Sequence, residues 1–246
     1  MTNRSLYTLL VTAGLSLGAC TQHSDEKWHA EVLGRPWLSY PLARATVTPP
    51  VAQSGAQLEL HGLKFSLPMG MSASKETKLP EGAAQPMEYL RVVNSVDTFE
   101  VYVVPYDGTI YVTPEVARWC DNFSHFRQGY ATDLDMVRAA YQTVPDDVDH
   151  AGTESRKREL RTLLMVKDSQ SLPGTEVALP KITLFYSRLK SGHVMAELFD
   201  ENGTWRCRMV INQIAPIAHT PSSDAEIVTS LLYYSQFDHK AKNSPR

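Results

Sequence analysis

The densest run of oxygen donors in the chain is Asp146, Asp147 and Asp149, followed by His150 and Gly152. Carboxylates at that spacing could hold Ca²⁺, but the alternating acids and terminal bidentate Glu of an EF-hand loop are missing. A solvated acidic loop is the competing reading. Ser124 and His125 beside Asp121 have the residue types of a hydrolytic triad, yet neighbouring side chains on a helix point apart, which argues against triad geometry. The histidines are scattered as His23, His29, His61, His125, His150, His193, His219 and His239, with no pair at helical ligand spacing. No phosphate-binding loop, nucleophile elbow, dinucleotide fingerprint or H-E-x-x-H segment occurs. No catalytic residue, cofactor site or metal site is therefore assigned. Arg156-Lys157-Arg158 beside the acidic loop reads as solvated surface or as a charge-complementary docking patch. Tyr102, Tyr106, Tyr111, Tyr130, Tyr186, Tyr233 and Tyr234 supply either core packing with the hydroxyl at the rim or an aromatic contact patch.

The N-terminus carries a stronger signal. Arg4 precedes an apolar run over residues 6–17 that is too short to span a bilayer, and small residues lead to Leu17-Gly18-Ala19-Cys20. That sequence resembles the lipobox of bacterial lipoproteins. The resemblance implies cleavage before Cys20, a diacylglycerol on its thiol and an acyl chain on the new amine. An ordinary signal peptide with a chance Cys is the alternative. One acyl chain gives only reversible membrane binding, at about 0.8 kcal/mol per buried CH₂, so three chains are expected to hold the protein essentially permanently. Thr21 and Gln22 follow the Cys, and the family's inner-membrane retention Asp is absent, which implies sorting to the outer membrane; the domain is expected to face the periplasm, the outside being the alternative.

With Cys20 assigned to lipid, Cys120 and Cys207 remain. In an oxidising compartment an even pair is expected to form a disulfide, stabilising by about 4 kcal/mol through loop closure. Two separate buried thiols are the other possibility. Lys and Arg total 24 against 27 Asp and Glu, for a net charge of −3, and removal of the signal takes away one more positive charge. Nothing here has the electrostatic footprint of a nucleic-acid binder. An apolar fraction of 43% suits a chain that buries a core.

Four segments follow: a signal over residues 1–19, the lipidated Cys with a tether over 20–56, an α+β domain over 57–238 and a flexible tail over 239–246. The tether is rich in Pro and polar residues, but it also holds Trp28, Trp37 and Tyr40, so part of it is expected to pack on the domain or to meet a partner. Those three aromatics and Tyr106 are the candidate partner contacts.

Within the domain, apolar alternation predicts strands over residues 58–67 with a turn at Gly62, then over 88–94 and 98–104. Asp107-Gly108 predicts a further turn to a strand at 110–112. Thr113-Pro114-Glu115 predicts a helix start, with Cys120 on its buried face. A second helix is expected over 132–143, broken by Pro145. Residues 144–159 read as a polar loop, and 160–166 as a strand, a short helix being the alternative. Strands are expected over 181–189, 193–199 and 205–211, with turns at Ser191-Gly192 and Asn202-Gly203. A closing helix opens at Ser222 or Ser223. The sum is an antiparallel sheet of about six to eight strands packed by two or three helices.

The stretch His61-Gly62-Leu63-Lys64-Phe65-Ser66-Leu67-Pro68-Met69-Gly70, the antiparallel strands, and Leu231-Leu232-Tyr233-Tyr234-Ser235-Gln236-Phe237 resemble the Mog1/PsbP/DcrB type of domain. That resemblance implies a binding or assembly factor. The expected function is a non-enzymatic, lipid-anchored envelope protein that binds a protein partner, such as an immunity or inhibitor lipoprotein or an envelope accessory factor. An envelope hydrolase with an unrecognised site is the alternative.

Overall fold

The computed structural model describes residues 34–51, 53–79, 85–105, 129–169, 174–189, 192–216 and 223–238. The fold is α+β and mostly sheet. The chain divides into two compact units, Met1–Ala43 with Gly108–Gly174, and Arg44–Asp107 with Thr175–Arg246. No helix among the described residues is long and apolar enough to cross a membrane.

The first unit is helical. A 3-10 turn at Pro36–Ser39 is followed by α1 (Asp133–Gln142), α2 (Pro145–Asp149) and α3 (Glu154–Ser169). Thr132 caps α1 by accepting the Asp135 N–H at 3.0 Å, and Leu134, Val137 and Tyr141 share its buried stripe. Two expectations are corrected here. The supposed loop over 144–159 contains α2 and the start of α3, because Pro145 opens a helix and Asp147 Oδ2 accepts the Val144 N–H at 2.8 Å. The supposed strand over 160–166 is the middle of α3. Its buried positions among the described residues are Leu160, Leu163, Leu164, Val166 and Lys167, of which Leu160, Leu163, Leu164 and Lys167 form a helical i, i+3, i+4, i+7 set whose last member is a lysine.

Lys167 is 2% exposed, and its ammonium donates to the carbonyls of Leu38 at 2.5 Å, Thr143 at 3.1 Å and Tyr141 at 3.3 Å. Two of these carbonyls sit at the C-terminal end of α1, where a cation offsets the helix dipole. The third ties down the 3-10 turn, whose Leu38 is fully buried. Leu38, within the expected tether, is therefore packed in the helical unit. At Gly174 a Cβ would lie 2.3 Å from the Tyr141 hydroxyl, so that contact requires glycine.

β1 (Ala43–Arg44) lies where the chain passes from the first unit to the second, which holds β2 (Gln53–Leu60), β3 (Leu63–Pro68), β4 (Ser72–Lys78), β5 (Met87–Val93), β6 (Asp97–Pro105), β7 (Thr175–Ala178), β8 (Ile182–Arg188), β9 (Val194–Asp200), β10 (Trp205–Pro216), α4 (Asp224–Leu232) and β11 (Gln236–Phe237). Eight strands form one sheet in the order β1-β7-β8-β9-β10-β6-β5-β4, and β11-β3-β2 form a smaller one. Neighbours from β7 through β4 pair antiparallel.

The turns follow from their residues. His61 and Gly62, both at positive φ, join β2 to β3. The Asn94 side chain accepts the Val96 and Asp97 N–H groups between β5 and β6. Gly203, also at positive φ, closes the β9–β10 hairpin, where the Asp200 carboxylate accepts the N–H groups of Asn202 and Thr204. Ser223 and Glu226 form a capping box at the start of α4. One face of the large sheet packs with the small sheet and α4 into a core that includes Phe65, Phe99, Leu184, Leu198, Met209 and Leu231. β4 and β7 were not legible in the sequence: β4 reads Ser-Ala-Ser-Lys-Glu-Thr-Lys, an edge strand whose outward polar groups hide the period-2 signal.

Candidate functional site

The end of α1, α2 and the first turns of α3 enclose a cleft of about 510 Å³ in the helical unit. That volume falls within the ~300–1,000 Å³ of ligand pockets. Leu160, Leu163 and Ala139 supply an apolar floor, with Ala151 and Gly152 leaving it open, while Tyr130, Gln142, Thr143, Asp147, His150 and Arg156 complete the lining.

The polar groups differ in how far the protein already engages them. Asp147, the carboxylate in the lining, caps α2. The Thr143 hydroxyl donates to the Ala139 carbonyl at 2.9 Å. His150 Nδ1 lies 2.8 Å from the Asp146 carbonyl, which places the proton of the neutral ring on Nδ1 and leaves Nε2 to meet an incoming group. Burial, reinforced by Glu159, raises the Tyr130 hydroxyl above the ordinary tyrosine range, so it stays a donor. Its bond to Glu159 is long, at 3.4 Å. The Arg156 guanidinium pairs with Glu159 at 2.7 Å and is 53% exposed. Beside it, Thr153 Oγ1 accepts the Arg156 N–H at 3.2 Å at the start of α3. The first intrahelical bond runs from Lys157 to Thr153, so the amides of Glu154 and Ser155 precede the ladder.

A second polar cluster crosses the large sheet on the face opposite the core. His193, Asn212, Glu100 and Arg91 stand in register across β10, β6 and β5, with His193 just before β9. Glu100 receives Lys78 Nζ at 2.6 and 2.7 Å, the Tyr102 hydroxyl at 2.7 Å and Asn212 at 3.4 Å. Lys78 reaches it by passing over Tyr89 and Tyr102, 5.1 and 5.5 Å from their ring centroids, and the two rings stack at 5.3 Å. Burial works to raise the Glu100 carboxyl, but the hydrogen bonds from Lys78 and Tyr102 outweigh it and hold it below the ordinary value. Burial and the Glu76 carboxylate push Tyr89 up to about 12, and burial raises Tyr102 further. Burial lowers the His193 imidazole against a hydrogen bond that it donates to Asn212. Perturbed groups in such numbers can mark a functional site, but an internally satisfied ion-pair network perturbs pKa values just as well. Here both Glu100 oxygens are engaged from within.

The sequence candidates fare unevenly. Cys20, Cys120, Trp28, Tyr106, Tyr111, Asp121, Ser124 and His125 lie outside the described residues, as does the expected helix that begins at Pro114. Trp37 is half-buried, with the Arg35 guanidinium 5.4 Å from its ring centroid, and Tyr40 is 47% exposed in the same turn. Asp147 and His150 line the cleft. Among the described residues no three His, Cys, Asp or Glu side chains converge as a metal site. From the basic run, Arg156 joins the cleft and Lys157 pairs with Glu154 at 3.0 Å. Gln142, Leu160 and Leu163 were missed as site residues because their convergence depends on how α1 meets α3. The helical stripe ending at Lys167 was the signal that could have placed α3.

Cys207 is a free thiol, 1% exposed, within the apolar core, while Cys120, its expected disulfide partner, lies outside the described residues. Counting cysteines registers parity but not that β10 aims this one into a filled core between two paired strands. Burial, with a contribution from Glu197, pushes the thiol well above its ordinary value. Iodoacetamide at pH 8 without reductant is therefore expected to leave the Cys207 peptide unmodified in the folded protein and to label it fully in urea. Labelling that also requires reductant in urea would show a bridge instead. No protein-family model, curated protein or solved structure matches the chain.

Proposed function

We propose that this is a non-enzymatic lipoprotein, anchored through Cys20 in the outer membrane, faced to the periplasm and binding a protein partner through the helical-unit cleft. The observation that carries the reading is the contrast between the two polar clusters. In the sheet network the polar groups are answered by one another, whereas the cleft presents Gln142 and His150 Nε2 at an open rim above an apolar floor, beside the Arg156–Glu159 pair. An apolar centre with a polar rim is the anatomy of a protein interface. An immunity or inhibitor lipoprotein, or an envelope accessory factor, is the concrete form, in keeping with the Mog1/PsbP/DcrB resemblance. The stretch between Cys20 and the buried Leu38 could span at most ~60 Å, which sets how far from the bilayer the partner is met.

The test is comparative capture from cell envelopes using the full chain and an Ala139→Trp variant that fills the cleft. A partner retained by the parent and lost by the variant, with circular dichroism unchanged, is the expected result. A partner held equally by both would remove the cleft from the reading, and loss of acylation-dependent membrane recovery in the parent chain would remove the anchor.

A further inference from the structure

We infer that Asn202-Gly203, in the turn between β9 and β10, is a deamidation site that the Asp200–Arg206 pair holds shut. An asparagine followed by glycine is open to this reaction because glycine places no side chain in the way of its own nitrogen. The Gly203 nitrogen attacks Cγ of Asn202, its proton leaves with the side-chain nitrogen as ammonia, and a five-membered succinimide remains. Water then opens the ring, at Cγ to give aspartate or at the backbone carbonyl to give isoaspartate. Asn202 is exposed, so its side-chain amide is within reach of solvent. The nucleophile is not. Gly203 is buried, and its N–H donates to the Asp200 carbonyl at 2.9 Å, so the proton that must leave is held. The Asp200 carboxylate accepts the amides on either side, from Asn202 at 3.0 Å and from Thr204 at 2.9 Å. Its charge beside Gly203 opposes the amide anion through which attack proceeds. The carboxylate is itself fixed: Asp200 is 2% exposed, and its Oδ2 receives Arg206 Nε at 2.6 Å together with Nη2. The Asp200 N–H returns to the Thr204 carbonyl at 3.0 Å, closing the turn from both ends. Bringing Gly203 N to bonding distance of Asn202 Cγ therefore requires the turn to open. Either product would set a second carboxylate beside Asp200. Isoaspartate would also lengthen the main chain just before Trp205, whose pairing with Phe199 begins β10.

The experiment incubates the full chain at pH 8 and follows the tryptic peptide 191–206, in which Asn202 is the only asparagine, by mass spectrometry with separation of the aspartate and isoaspartate forms. In the folded parent both forms should accumulate at least about tenfold more slowly than in the same chain in urea, as an opening cost of ~1.4 kcal/mol gives. Asp200→Ala removes the carboxylate and both of its acceptor contacts. It should raise the folded rate about fivefold or more, the factor that corresponds to ~1 kcal/mol for one lost hydrogen bond. Iodoacetamide labelling of Cys207, buried in the same unit, separates opening of the turn from opening of the core. Deamidation that rises while Cys207 stays unlabelled is the expected result. Should Asp200→Ala open the core as well, Arg206→Lys decides: it keeps a cation beside the carboxylate but loses the two-pronged hold, and should give a smaller rise, again without labelling. Deamidation as fast in the folded parent as in urea would overturn the inference. So would an unchanged rate in Asp200→Ala, or rates that rise in both variants only in step with Cys207 labelling.

Discussion

Glu197→Ala should lower the stability of the sheet unit by about 3–5 kcal/mol, the cost of leaving a buried charge without its partner. Glu197 is 2% exposed in the middle of β9. Its Oε1 receives Arg208 Nε at 2.6 Å and is 2.6 Å from Arg208 Nη2, and its Oε2 receives the Trp205 indole N–H at 3.0 Å. Trp205 in turn stacks on Phe199 at 6.3 Å. Alanine removes the acceptor for a largely buried guanidinium and a buried indole together, and leaves a void beside Phe199. Glutamine keeps one acceptor oxygen at nearly the same volume, so Glu197→Gln should cost roughly 1–2 kcal/mol. Urea unfolding followed by Trp fluorescence measures both, with the rate of Cys207 labelling as an independent report on opening of the same unit. An Ala variant within 1 kcal/mol of the parent, on the scale of ordinary surface substitutions, would mean that the triad is not a stabilising unit.

Lys167→Met should cost about 2–4 kcal/mol in the helical unit, and two opposing contributions decide that figure. The ammonium is desolvated, which by itself costs several kcal/mol and which methionine relieves. Against this, the carbonyls of Leu38, Tyr141 and Thr143 each lose a donor while staying in place. A buried carbonyl without a partner costs ~1–3 kcal/mol. Replacing a buried ion pair by apolar groups can be neutral because both partners are exchanged, but backbone carbonyls cannot be exchanged, so the loss prevails.

The pH dependence gives a second measurement. Burial holds the Lys167 ammonium below the ordinary lysine value of 10.5, with Asp147 opposing. Between the folded and the unfolded value the unfolded chain binds more protons at this site, so this residue's contribution to stability rises with pH across that alkaline window. The stability difference between parent and Lys167→Met should therefore widen as pH approaches 10.5. A difference that narrows would show that the three carbonyls favour the charged form more than burial disfavours it.

The β8, β9 and β10 strands, the helix at 133–142 and the capped helix at 224–232 were legible because one signal in each dominated. In β8 it was period-2 alternation between tight turns, and in the helices it was a capping residue followed by a 3.6-period stripe. Reading failed where a polar residue had a structural duty. Lys167 interrupts the apolar run of 160–166 as a sequence and completes its stripe as a helix. Asp147 reads as a metal ligand or a solvated acid, yet it caps α2. The outward polar side chains of β4 conceal an edge strand that pairs with β5 along its whole length. Of the cleft, Arg156 and His150 stood out by type. Their meeting with Gln142, Leu160 and Leu163 could not be read, because it depends on segments that converge only through packing.

The sequence by itself determined the class of the fold and the turns and caps that punctuate it. These rest on interactions among residues a few positions apart, whose geometry each residue type largely dictates. Tertiary structure alone decided that Cys207 is a free core thiol, that Lys167 ties the turn at Leu38 to the end of α1, and that polar groups gather around one apolar floor. Each of these requires groups distant in the chain to lose water together. Whether burial then leaves a polar group answered or open depends on which segments meet, and that is settled only when the whole chain packs.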